Sequence, residues 1–100
     1  MANNDGLIKS SAPLELNSEQ KAKLNRRANE LFNSGDVVSA GKIFATTGYS
    51  AGLTRVGDYY MQQNDKLTAL HYYILAKNTN NADILINEVT QVVRMLLSEE

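Results

Sequence analysis

The stretch that most constrains the fold of this chain is Leu53 to Ala76, LTRVGDYYMQQNDKLTALHYYILA. Leu53, Val56, Gly57, Tyr60 and Met61 fall at i, i+3, i+4, i+7 and i+8, which is one face of a helix. Gln63-Asn64-Asp65 interrupts the apolar pattern with turn-forming residues. Ala69, Tyr73 and Ala76 then share a second face, with Leu70 and Ile74 beside it. So short a linker predicts two antiparallel neighbours. Gly57 costs about 1 kcal/mol in a helix relative to Ala, a cost that makes sense where a second helix backbone must approach closely.

These residues resemble the tetratricopeptide repeat, which reads W-x2-L-G-x2-Y, A-x3-F and a closing P over about 34 residues. Here the pattern is Leu53-x2-Val56-Gly57-x2-Tyr60 and then Ala69-x3-Tyr73. It departs from the family at Leu53, which replaces the Trp, and at Asn81, which replaces the Pro. The resemblance covers Ser50 to Asp83. A weaker copy precedes it: Ala28 and Leu31 stand for Gly57 and Tyr60, Gly35-Asp36 is the turn, and Ala40-x3-Phe44 repeats the spacing. The copies are offset by 57 less 28, or 29 residues. The shortening is expected at Thr46 to Ser50, where a short second helix gives way to a Gly turn.

The rest of the chain completes an all-α fold of about five helices, with two tetratricopeptide-like hairpins and a C-terminal capping helix. Residues 1–16 lack periodicity, hold the one proline, and read as a flexible arm; the helical domain is expected over 17–100. Asn17 and Gln20 form a capping-box pattern for a helix to about Asn33, whose buried stripe is Leu24, Ala28, Leu31 and Phe32. Gly35 tolerates the left-handed turn that follows. A second helix is expected from Val37 to Ala45, with Ala40, Ile43 and Phe44 inward. The last helix is expected from Ala82 to Ser98, capped by Asn80. Its stripe is Leu85, Val89, Val92 and Leu96, widened by Ile86, Val93 and Leu97.

Several function classes fall away on composition. The chain has no Cys, so disulfides, thiolate metal sites and thiol nucleophiles are excluded. His71 is the one histidine and lacks partners at metal or catalytic spacing. Gly35, Gly41 and Gly48 make no phosphate loop, and Asp58 and Asp65 make no acid pair. No catalytic residue, metal ligand or cofactor is therefore expected. The formal net charge of −1 announces no nucleic-acid partner. No apolar run reaches membrane-spanning length, and no secretory signal pattern opens the chain, so a cytoplasmic address is expected.

What remains is binding of another protein. The resemblance implies an adaptor or chaperone-like module whose first helices line a concave groove for a partner's peptide or helix. The matching positions are Ala22, Asn25, Arg26, Asn29 and Phe32, then Ala51, Thr54, Arg55, Asp58, Met61 and Gln62. Of these, Asn25, Arg26, Asn29, Phe32, Thr54, Arg55, Asp58, Met61 and Gln62 are the expected partner-binding residues. Some relatives grip a terminal carboxylate with Lys and Asn at such positions. Asn25 stands here in place of that Lys, so no such clamp is expected. Half-exposed Tyr59 and Tyr72 are the next interface candidates. The rival class is a small helix-turn-helix nucleic-acid regulator, suggested by Lys21, Lys23, Arg26 and Arg27 and the Gly35 turn. Against it, the second helix offers Lys42 alone as a cation. The closing helix carries more apolar residues than one contact face needs. Self-association through Ile86, Val93 and Leu97 is expected, with a foreign partner or the arm (through Leu7, Ile8 and Leu14) as the other ways to cover them.

Overall fold

The computed structural model describes residues 15–98, and they form five helices in chain order: α1 (Ser18–Asn33), α2 (Val37–Thr47), α3 (Ser50–Gln62), α4 (Lys66–Leu75) and α5 (Thr79–Ser98). No strand occurs among the described residues, and no described helix is long and apolar enough to cross a membrane. The expected arm lies almost wholly outside the described residues.

Four of the five helices begin where a polar side chain takes up free amides; α3, which follows Tyr49, has no side-chain cap. The Asn17 side chain accepts from the Gln20 amide, and the Gln20 side chain accepts from the Asn17 amide at 3.0 Å. Asp36 and Asp65 do the same for α2 and α4, accepting from the amides of Ser39 and Thr68. The Ser39 amide, the largest influence, holds the exposed Asp36 carboxyl below its usual range. For α5 the capping side chain is Asn78, which accepts from the Asn81 amide at 3.2 Å. The helix therefore starts at Thr79, earlier than the Asn80 cap would place it. Likewise α2 runs on to Thr47 instead of ending at Ala45.

The two hairpins, α1–α2 and α3–α4, are copies at one spacing. Left-handed backbone occurs at Gly35 (φ 102°) and Asn64 (φ 63°), and again at Gly48 (φ 71°) and Lys77 (φ 58°). Both pairs are 29 residues apart (64 less 35, 77 less 48). The closing hydrogen bonds repeat too: Asp36 and Asp65 donate their amides to Leu31 and Tyr60, and Tyr49 and Asn78 donate theirs to Phe44 and Tyr73. Thr46 to Ser50 is thus no local deletion. Twenty-nine residues is the length of the unit, with its second junction built like the first.

Three aromatic rings lie over glycines and draw the helices together. A Cβ on Gly57 would sit 2.6 Å from the Tyr73 ring, one on Gly52 would sit 2.5 Å from Phe44, and one on Gly41 would sit 2.9 Å from Tyr72 Cζ. The small residue at 57 therefore admits an aromatic side chain from α4, not a helix backbone. Around these contacts Ala28, Val37, Ala40, Phe44, Leu53, Val56 and Ala76 form one buried cluster, and Ala69, Tyr73, Ala82 and Leu85 form a second. Burying side chains of the size of Phe44, Leu53, Val56 and Leu85 stabilises by about 1.5–3 kcal/mol each. The Ser50 hydroxyl donates to the Ala76 carbonyl at 2.7 Å and ties the start of α3 to the end of α4 within the second hairpin.

The closing helix engages this stack with its first turns alone. Ala82 and Leu85 are buried against Tyr73 and Ala69, and Lys66 reaches Glu88 at 2.8 Å. No residue from Val89 to Ser98 is buried. The expected stripe of Leu85, Val89, Val92 and Leu96 is thus covered at Leu85 and bare at the other three positions.

Candidate functional site

The first helices of the units, α1 and α3, and the start of α5 share one side of the molecule, and a groove runs across it. In the recess between α1 and α3, of ≈ 290 Å³, the lining residues are Phe32, Arg55, Asp58, Tyr59 and Gln62. The recess between α3 and α5, of ≈ 400 Å³, is lined by Asp58, Met61, Gln62, Tyr73, Asn81, Ile84 and Leu85. Asp58 and Gln62 border both recesses, so the two adjoin.

Arg55 is the fixed charge of this groove. Its guanidinium donates to Asn29 Oδ1 at 2.8 Å and to Asn33 Oδ1 at 3.4 Å, and its carbon lies 4.5 Å above the centre of the Phe32 ring. The acceptors are neutral amides, so they orient the cation without cancelling it. The floor beneath is aromatic: Phe32 meets Tyr59 edge-on, Tyr59 meets Tyr60 edge-on, and Tyr60 stacks on Tyr72 at 5.9 Å. Chains of offset and edge contacts of this kind are favourable beyond the area they bury.

Asp58 is held as well. Its Oδ1 accepts from the Tyr73 hydroxyl at 2.5 Å. Burial first, and then this donation to Asp58, push the Tyr73 phenol far above its ordinary range. The phenol is therefore a fixed donor, and the Asp58 carboxylate it holds borders both recesses. An anchored cation and an anchored carboxylate thus stand one helical turn apart on α3.

The nine expected binding residues are distributed unevenly. Asn29, Phe32, Arg55, Asp58, Met61 and Gln62 meet at the groove. Asn25 is turned to the neighbouring helix, where its Oδ1 accepts from the Thr47 hydroxyl at 2.7 Å and holds α1 on α2. Arg26 is exposed and forms no ion pair among the described residues. Thr54 is half-buried and lines neither recess. Sequence reasoning omitted Asn33, Asn81, Ile84 and Leu85, and named Tyr59 only as a further interface candidate. Carrying the 29-residue offset one step further would have found one of them, since Arg55 maps onto Ile84.

Among the described residues no group of His, Cys, Asp or Glu is placed to hold a metal ion. His71 is exposed, edge-on to Tyr72.

An uncharacterized protein of Treponema pallidum (strain Nichols) is 40% identical to this chain over 82 residues, which span 82% of this chain and 79% of the relative. No family model matches the chain, and no solved structure matches it.

Proposed function

We propose one function for a family, since this chain belongs to the same protein family as the uncharacterized Treponema pallidum protein. In our reading it is a non-catalytic adaptor of tetratricopeptide-like hairpins that holds a segment of another protein in the groove across α1, α3 and α5. The observation that carries this reading is the anchored pair. Arg55 is fixed by Asn29, Asn33 and Phe32, and Asp58 by Tyr73, beside apolar walls supplied by Met61, Ile84 and Leu85. Few but well-placed polar groups among apolar ones are what a recognition groove requires. Preorganisation of both charges lowers the entropy lost when a partner docks. A cytoplasmic address accords with a chain that has no Cys to oxidise.

The test uses two surfaces of the same protein. The tagged chain is cross-linked in its own cells, and its partner is identified by mass spectrometry and then purified. Arg55→Glu should weaken that partner's binding by roughly tenfold or more, while Leu67→Glu on the outer side of α4 should leave it unchanged. Binding that survives Arg55→Glu and fails with Leu67→Glu would move the site off the groove.

A further inference from the structure

The 29-residue spacing makes α5 the first helix of a third unit. Leu53, Val56, Gly57 and Tyr60 of α3 map onto Ala82, Leu85, Ile86 and Val89. The first two pairs behave alike. Leu53 and Val56 are buried against the preceding hairpin, as are Ala82 and Leu85. The last two pairs differ. Gly57 and Tyr60 are covered by Tyr73 and Tyr72 of the following helix, α4. No following helix covers Ile86 and Val89, which are 44% and 43% exposed. A mainly apolar recess of ≈ 460 Å³, lined by Tyr73, Ile74, Ala82, Asp83 and Ile86 among others, opens where a following helix would lie. The third unit also never turns. Gly35 and Asn64 map onto Val93, and α5 runs straight through it to Ser98.

The chain therefore carries two bare surfaces. One is a cleft that lacks a second helix. The other is a helical segment, Val89–Ser98, that lacks a surface to lie on. We propose that a second copy of this chain joins the two. The α5 helices of two protomers pack antiparallel about a two-fold axis through Val89, each supplying the following helix that the other's third unit lacks.

The charges on α5 agree with that register. At 100° per residue, Ile86, Val89 and Val93 form a seam on the uncovered side of the helix. Asp83 and Arg94 flank the seam at its two ends. They are 11 residues apart (94 less 83), which brings them back to within about 20° of one another around the helix. Neither makes an ion pair among the described residues. Antiparallel pairing centred on Val89 sets Ala82 level with the partner's Leu96 and brings Ile86 within one residue of the partner's Val93. The same register brings Asp83 within one residue, about 1.5 Å along the axis, of the partner's Arg94. A two-fold axis makes both charge pairs at once, whereas a parallel pairing would leave Asp83 and the partner's Arg94 11 residues, about 16 Å, apart along the axis. Ile86, Val89, Val93, Leu96 and Leu97 fall on this one side of the helix and are each 43% to 62% exposed, an apolar face along the whole free half of α5.

The test is sedimentation equilibrium on the full chain over roughly 1–100 µM, the lower part of which resolves micromolar affinities. The intact protein should be a dimer that dissociates on dilution. Arg94→Asp and Asp83→Arg should each raise the dissociation constant about tenfold or more, because each sets like charges together twice. The double variant Asp83→Arg with Arg94→Asp should restore it. All these positions are exposed, so circular dichroism should match the intact protein throughout. Val93→Glu should give a monomer at every concentration. A monomeric intact chain would overturn the proposal, as would one that dimerises only after residues 1–14 are removed, since the arm would then occupy the seam. A dimer that the double variant fails to restore would overturn the antiparallel register.

Discussion

The ring of Tyr73 occupies the space that a side chain at Gly57 would fill, 2.6 Å from where its Cβ would stand. From the same position the Tyr73 hydroxyl reaches Asp58, the next residue of α3, at 2.5 Å. A glycine that is costly in a helix thus seats the aromatic residue that buries the second hairpin's core and fixes a groove carboxylate.

Gly57→Ala should therefore destabilise the protein. Helix propensity favours Ala by about 1 kcal/mol, but the added methyl meets the body of a buried ring, and such overpacking costs about 1–3 kcal/mol. Gly57→Leu should cost more than Gly57→Ala. Urea melts decide the matter, and a gain of stability in Gly57→Ala would show that the ring can move aside freely.

Lys77 adopts the left-handed conformation that Gly48 adopts one unit earlier. A non-glycine residue there bears a penalty of about 1–2 kcal/mol. Lys77→Gly removes it, at the cost of a more flexible unfolded chain. A net gain of about 0.5–1 kcal/mol is expected, read as a higher urea midpoint at unchanged slope. A loss would mean that the Lys77 side chain makes a contact worth more than the backbone strain.

Alkaline stability should report on Tyr73. Its phenol is raised in the folded state, chiefly by burial and then by the bond to Asp58. A raised group lends stability that is complete below its unfolded pKa and is lost as pH climbs toward the folded value. Urea midpoints should hold up to about pH 10, the ordinary tyrosine value, and fall above it. Tyr73→Phe should start lower at neutral pH and fall less steeply. Tyr72, also raised by burial and by Tyr60, keeps part of the slope. Parallel curves for the two proteins would show that Tyr73 ionises as freely folded as unfolded.

Arg55→Lys separates charge from geometry. Lys keeps the charge but cannot reproduce the fork to Asn29 and Asn33 or the stacking on Phe32. The site is exposed, so stability should change by no more than about 0.5 kcal/mol. Partner binding should fall several-fold in titration calorimetry. Full binding by the Lys variant would mean that charge alone serves, and that the anchoring amides do not matter.

The sequence by itself determined the local structure, because short-range chemistry sets it. Apolar spacing of three and four, Asn17 with Gln20, Asp36 and Asp65 at helix starts, and Gly35 at a left-handed turn are all decided within a few residues of chain. Hence the five helices, their pairing and most of the groove positions on α1 and α3 were legible. Tertiary structure decided what lies across those faces. Periodicity gives the direction of a side chain from its own helix, not what stands opposite. It could not show that Gly57 meets a ring and not a backbone, or that Asn25 is taken by Thr47 while Asn29 is taken by Arg55. Nor could it show that the apolar stripe of α5 is covered only at Ala82 and Leu85. A stripe reads the same whether the chain covers it or leaves it bare, since hydrophobicity has no direction. Where the stack of hairpins stops depends on packing between residues far apart in sequence.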